Sequence, residues 1–343
     1  MSLKNNLLKG LLSTFIGAYS LQAHEHGKNS HQHEVLPPQL QVATKTGSAP
    51  HVYETVPGWG KIPGKDYIGS THSGFVVDQQ GLVYTSVKTK KSMVVFTPEG
   101  KFLRSFDKKF NQIHGMIINE ENGQEFIYGA AGKKVYKIDL KGNAVLTIDG
   151  PSQPKDQNWE KATAVAVAPN GDIFIADGYG SSLIFKYDKE GRFIKKFGLK
   201  GKNDGQFRTS HGLIMDKRDP QNPQLLVADR ENRRLQSFDL DGNFKKVLIN
   251  GLRRPCALSI WGDYVAVAEL EARVIILDKD YKIVSKLGDN PNKEEWAENR
   301  VDPKMWKPAI FTAPHGLSFD KDGNLYVQDW NKYGRITKLK RLK

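Results

Sequence analysis

The sequence predicts an all-β chain folded as a six-bladed β-propeller. Three observations carry this. One unit recurs six times between residues 51 and 343, at about 49 residues per copy, the usual size of a four-stranded blade. Each copy has the same plan: a small-residue or His-Gly start, a hydrophobic strand, an Asp/Asn-Gly turn, a second strand ending in Asp, and two further strands. Helical periodicity is almost absent, and only Lys293 to Asn299 reads as a short helix.

The clearest copies are His315-Gly-Leu-Ser-Phe-Asp-Lys-Asp-Gly-Asn-Leu-Tyr-Val-Gln-Asp329 and Thr163-Ala-Val-Ala-Val-Ala-Pro-Asn-Gly-Asp-Ile-Phe-Ile-Ala-Asp177. The other starts fall at Ser73, His114, His211 and Cys256. Third and fourth strands show in Phe185 to Phe197 and in Ser237 to Val247. Length alone would allow two domains, but a propeller closes its blades into one unit, so residues 51–343 are expected to form one domain.

The N-terminus reads differently. Lys4 and Lys9 precede a short apolar stretch from Gly10 to Leu21, and Leu21-Gln22-Ala23 offers a cleavage site, so residues 1–23 read as a secretory signal peptide. The stretch is too short for a membrane span, and an exported, periplasmic or extracellular protein is expected. Residues 24–50 hold His24, His26, His31 and His33, then Pro37-Pro38, and read as a disordered linker. Cleavage after Ala23 would leave a histidine at position three, a Cu(II) or Ni(II) chelate pattern; a solvated polar tail explains the same residues.

Lys plus Arg number 51 against 38 Asp plus Glu, a net charge of +13. The excess lies in scattered pairs such as Lys133-Lys134 and Lys245-Lys246, not on one face, so nucleic acid is not an expected partner. A single cysteine, Cys256, excludes an intramolecular disulfide framework and Cys-rich metal sites. A monomer is expected.

Strand direction locates the chemistry. The innermost strand of a blade starts at one face of the channel, and the antiparallel second strand returns to it. Repeat starts and second-strand loops therefore meet at one mouth. Around the ring the starts read Ser73, His114, Thr163, His211, Cys256, His315, with histidine in every second blade. Three imidazoles aimed at one axis with a fourth position open are the ligand set of a catalytic zinc site. Iron, manganese and cobalt also accept nitrogen, so the site is better determined than the metal. His72 reads as an ordinary histidine and Cys256 as a packing residue. At the same mouth, Tyr179 stands between two glycines after Asp177, and Arg230 follows Asp229; neither is needed by the repeat pattern. Asp229, Asn232 and Arg234 are read as turn residues.

The repeats resemble the NHL class in Val227-Ala-Asp-Arg-Glu-Asn-Arg-Arg-Leu-Gln-Ser-Phe-Asp239. The chain also resembles peptidyl-α-hydroxyglycine α-amidating lyase, most sharply from Val165 to Phe238, through Ala176-Asp-Gly-Tyr179, Gly205-Gln-Phe-Arg208, His211-Gly-Leu and Ala228-Asp-Arg-Glu-Asn232. The resemblance implies zinc on His114, His211 and His315, a catalytic tyrosine at Tyr179 and an active-site arginine at Arg230. It implies cleavage of a carbinolamide C–N bond in a substrate ending in a carboxylate, giving an amide and glyoxylate. Tyr179 would be the base, and Arg230 either stabilises its phenolate or clamps the carboxylate. The family's second arginine falls in Val87-Lys-Thr-Lys-Lys91, where Lys88 or Lys90 could substitute. The family's Met-Pro-His-Asp reads Ala313-Pro-His-Gly316, which removes the Asp associated with a structural calcium and weakens the expectation of calcium. Nothing resembles the copper monooxygenase that makes the hydroxyglycine.

Two other functions fit the same fold. A metal-dependent hydrolase of the gluconolactonase kind relies on carboxylate and Asn ligands, which the histidine ring disfavours. A non-catalytic NHL binding module would leave the alternating histidines without a purpose. Metal content separates the three: zinc for the lyase, calcium for the hydrolase, none for the module.

Overall fold

The computed structural model describes residues 37–343 apart from positions 66, 91, 107–109, 111 and 112. The predicted signal peptide and the four tail histidines lie outside them. Six antiparallel sheets surround one channel, five of them four-stranded and one five-stranded. Blade one spans Phe75–Val77 to Phe102–Ser105, blade two Gly115–Glu121 to Ala144–Asp149, and blade three Ala164–Val167 to Phe193–Phe197. Blade four runs from Ser210–Asp216 to Phe244–Asn250 and blade five from Pro255–Trp261 to Ile283–Leu287. The turn chemistry is local. Asp139 and Asp239 accept backbone N–H bonds two and four residues on, while Gly142 and Gly242 take the positive φ that the turn demands.

Burial follows position in the blade. In blades three and four the second and third strands Ile173–Ala176 and Arg234–Phe238 are buried along their length, whereas the outer strand Phe193–Phe197 is largely exposed. The apolar side chains gather between blades. Among the described residues, each of the six seams has its own cluster. Val165, Ile173 and Phe185 pack toward blade two while Ala166, Phe174 and Ile184 pack toward blade four. This is the strict alternation that sends successive residues to opposite faces of a sheet.

Blade six closes the ring with both ends of the chain. Pro314–Phe319, Leu325–Asp329 and Arg335–Arg341 are its inner strands, and His51–Thr55 pairs with the last of them as the fourth. The predicted linker 24–50 is corrected here for residues 37–50. Lys45–Ser48 is a fifth strand, paired to His51–Thr55, and Pro38–Gln41 is a short 3₁₀ turn. The sequence Lys-Thr-Gly-Ser hides this strand because it is mostly exposed and carries no apolar alternation. Its anchors are hydrogen bonds to blade five: Ser48 N to Ser285 Oγ and Gly288 N to Thr46 Oγ1. The expected helix at 293–299 shrinks to a 3₁₀ turn at Lys293–Glu295, ended by Ala297 in the left-handed region. No helix among the described residues is long and apolar enough to cross a membrane.

Tyr53 is the apolar anchor of the closing strand, fully buried against Phe311, Leu325 and Leu339. Tyr53→Ala should lower the unfolding free energy by about 3 kcal/mol or more, the cost typical of emptying an aromatic site. Urea denaturation checks this, and an unchanged midpoint would show that the ring closes without it.

Candidate metal centre and active site at the channel mouth

Local backbone irregularity aims the ring residues into the channel. In blades four, five and six the ladder skips one residue at the start of the innermost strand, and the skipped residues are His211, Cys256 and His315. A β-bulge leaves its extra residue unpaired and re-aims the side chain. In blade two, His114 sits just before the ladder, with its N–H bonded to Ala130 O. Sequence reasoning could find the histidines but not the bulges that turn them.

The glycine after each histidine has a specific steric cause. A Cβ on Gly115 would lie 2.3 Å from Thr163 O, one on Gly212 2.3 Å from Cys256 O, and one on Gly316 2.0 Å from Ser73 O. Each oxygen belongs to the starting residue of the following blade. Two of these carbonyls also accept from the histidine: His114 Nδ1 donates to Thr163 O at 2.8 Å and His211 Nδ1 to Cys256 O at 2.9 Å. A carbonyl can only accept, so both neutral rings carry their proton on Nδ1 and present the Nε2 lone pair to the channel.

The rings converge. Centroids of His114, His211 and His315 are 4.6 to 4.9 Å apart. His72, read from sequence as ordinary, joins them at 4.2 Å from His315 and 4.8 Å from His114. Two triads bring all their ligand atoms within 4.8 Å of one another: His72, His114 and His315, and His211, Cys256 and His315. Burial foremost, with Arg230 and the neighbouring imidazoles, holds His211 and His315 well below the usual histidine range. His114 falls to about 4, mainly by burial, with its Thr163 bond opposing the shift. Burial also raises the Cys256 thiol to about 11, against the pull of Arg230, so it stays protonated.

These residues fit a zinc-type ion. His315 is 2% exposed and neither ring nitrogen has a hydrogen-bond partner, an arrangement costly for a buried polar group unless something else engages it. The donor set is neutral imidazole, and carbonyl partners orient His114 and His211 as a nitrogen-ligated divalent ion requires.

Tyr179 lies beside this cluster, 37% exposed. Its Oη is 2.9 Å from His211 Nε2 and 3.2 Å from His114 Nε2, and Arg230 Nη1 donates to it at 3.1 Å. The flanking glycines serve close packing: a Cβ at Gly178 would lie 2.4 Å from Ser210 O, and one at Gly180 would meet the Asp177 carboxylate. Burial pushes the Tyr179 hydroxyl up and the Arg230 charge pulls it back. Arg230 Nε is held by Glu231, which also takes Arg254. Asp229 is structural, accepting from Arg208 N, Asn232 and Arg234.

A cleft of about 200 Å³ opens beside His72, His114 and Tyr179, and Lys88 and Lys161 line it. Lys161 and Arg254 belong to no motif and were missed; only their proximity in space marks them. Lys90 does not line this cleft. At the other end of the channel a hollow of about 440 Å³ is lined by residues such as Val77, Ile117 and Leu317, and its lining brings no carboxylate, imidazole or thiol.

The lowered histidines set the sign of a pH effect. An unfolded histidine takes up a proton near pH 6.5, whereas the folded ring rejects it, so the unfolded state binds more protons below that pH. Metal-free protein should therefore lose stability as pH falls from about 7 toward 4, by up to about 1.4 kcal/mol per pH unit for each linked histidine. Thermal melts in chelator check this, and His315→Phe should flatten the slope.

Comparison with known proteins agrees with this architecture. No family model matches the chain. It is 33% identical over 276 residues to the peptidylglycine alpha-amidating monooxygenase of Rattus norvegicus, covering 76% of this chain but 26% of that protein. The chain thus spans about a quarter of the length of the vertebrate relatives it matches. A probable peptidyl-alpha-hydroxyglycine alpha-amidating lyase of Caenorhabditis elegans is 32% identical over 252 residues, covering 70% of this chain and 68% of that one. Among solved structures, a streptogramin B lyase superposes with TM-score 0.55 at 16% identity, over 88% of this chain and 98% of that one. A gluconolactonase of Xanthomonas campestris gives 0.59 at 12%, over 86% and 91%. Both share the propeller fold. With the nematode relative 32% identical and matched over 68% of its length, the chain belongs to the peptidyl-α-hydroxyglycine α-amidating lyase family.

Proposed function

We propose that this protein is a metal-dependent carbon–nitrogen lyase that splits an N-acyl-α-hydroxyglycine, a carbinolamide ending in a carboxylate, into an amide and glyoxylate. The observation that carries the reading is the Tyr179 hydroxyl, which accepts from Arg230 and lies 2.9 and 3.2 Å from the ligating Nε2 atoms of His211 and His114. His114, His211 and His315 would hold the ion. Zinc, when bound, supplies Lewis acidity that makes a substrate hydroxyl easier to deprotonate.

The chain's own groups do the rest. Tyr179 Oη, as phenolate, takes the proton from the substrate hydroxyl; the C–O bond becomes a carbonyl, the C–N pair moves onto nitrogen, and Tyr179 returns its proton to that nitrogen. Arg230 favours the phenolate, because a cation 3.1 Å from the oxygen stabilises its negative form. The lysines of the cleft, Lys88 and Lys161, give the substrate carboxylate a cationic surface beside the tyrosine. The leader-like first 23 residues fit an exported enzyme. A gluconolactonase-type hydrolysis draws less support, since the mouth presents imidazoles where that chemistry uses carboxylates.

Tyr179→Phe should keep its metal and lose about 10²–10⁴-fold in turnover, the usual worth of positioned proton transfer. His114→Ala, His211→Ala and His315→Ala should each lose most bound zinc while staying folded. Glyoxylate release and zinc content, measured on every variant, check both. Wild-type protein with full zinc and no turnover on any α-hydroxyglycine compound would discard the assignment.

A further inference from the structure

His72 stands outside the alternating series of strand-start histidines, one residue ahead of the ring position held by Ser73. The two side chains part ways there. Ser73 turns into the blade, with Oγ donating to Ser86 O at 3.0 Å and its N–H donating to Gln328. Its predecessor is set by Thr71, whose backbone pairs with Asn331 and whose hydroxyl donates to Asp329 O at 2.7 Å. Residue 72 then faces the channel mouth, where its ring meets those of His114 and His315. The resulting 4.2 Å separation from His315 is the shortest between histidine rings among the described residues.

Two triangles of imidazoles therefore share the His114–His315 edge, one completed by His211 and the other by His72. The ligand nitrogens of the His72 triangle all fall within 4.8 Å of one another. His315, at their common corner, is buried with both nitrogens unbonded. We infer that His72 is a fourth imidazole ligand of the metal centre, which leaves the substrate hydroxyl to enter as a fifth ligand; the inference rests on the metal reading above. Packing gives the competing account, since His72 also lies 5.0 Å from the Trp330 ring. A phenyl ring would serve that contact equally well, but only an imidazole offers a nitrogen.

The test uses the full chain, with zinc titrated against a chromogenic chelator and cobalt(II) substituted for its visible spectrum. His72→Phe keeps the aromatic contact and removes the ligand, and His72→Ala removes the ring without adding bulk. Both should bind zinc at least tenfold more weakly than wild type, since even changes behind a ligand cost 10–100-fold. Both should also shift the cobalt bands. Variants with wild-type affinity and an unchanged spectrum would assign His72 to packing and overturn the inference. Wild-type protein that takes up neither ion would overturn the metal reading itself, and this inference with it.

Discussion

Closing six twisted sheets around one axis forces their innermost strands to start almost in contact, and the mouth of this channel is organised by that approach. At Gly115, Gly212 and Gly316 the next blade's backbone oxygen occupies the space a Cβ would need. For blades two and four the same oxygen fixes the neighbouring imidazole by accepting its Nδ1 proton. One contact thus joins fold to chemistry. Blades two and four cannot part from the blades that follow them without releasing His114 and His211, and those two rings cannot turn without losing a bond to the neighbouring blade.

Charge completes the design. The imidazoles are buried beside Arg230 and kept neutral, which is the ligating form. Arg230 is itself balanced by Glu231, shared with Arg254, so its guanidinium is anchored while one nitrogen still reaches the Tyr179 oxygen. The hollow at the far end of the channel has more space, about 440 Å³, and its lining brings no imidazole, carboxylate or thiol. Space alone does not make a site; converging donors do.

Much of this was legible in the residues. Turn glycines, acid-ended second strands and repeat length fixed six blades, and strand direction put Tyr179 and Arg230 at the mouth with His114, His211 and His315. Other features had no signal to read. The closing strand Lys45–Ser48 is polar and exposed, held by hydrogen bonds to blade five instead of by an apolar pattern. His72 was hidden because its role depends on which side of the backbone Ser73 takes, a matter settled by Gln328 and Ser86 from other strands. Lys161 reaches the cleft from the loop preceding blade three, and adjacency in space is its only mark.

The central claim is that the histidine cluster holds the ion next to Tyr179. Anomalous diffraction at the zinc edge, from crystals of catalytically active protein, tests it most directly. The account predicts one strong peak at this mouth, about 2.0–2.1 Å from nitrogens of His114, His211 and His315, with Tyr179 facing it. A peak elsewhere, or active crystals with none at these histidines, would contradict it.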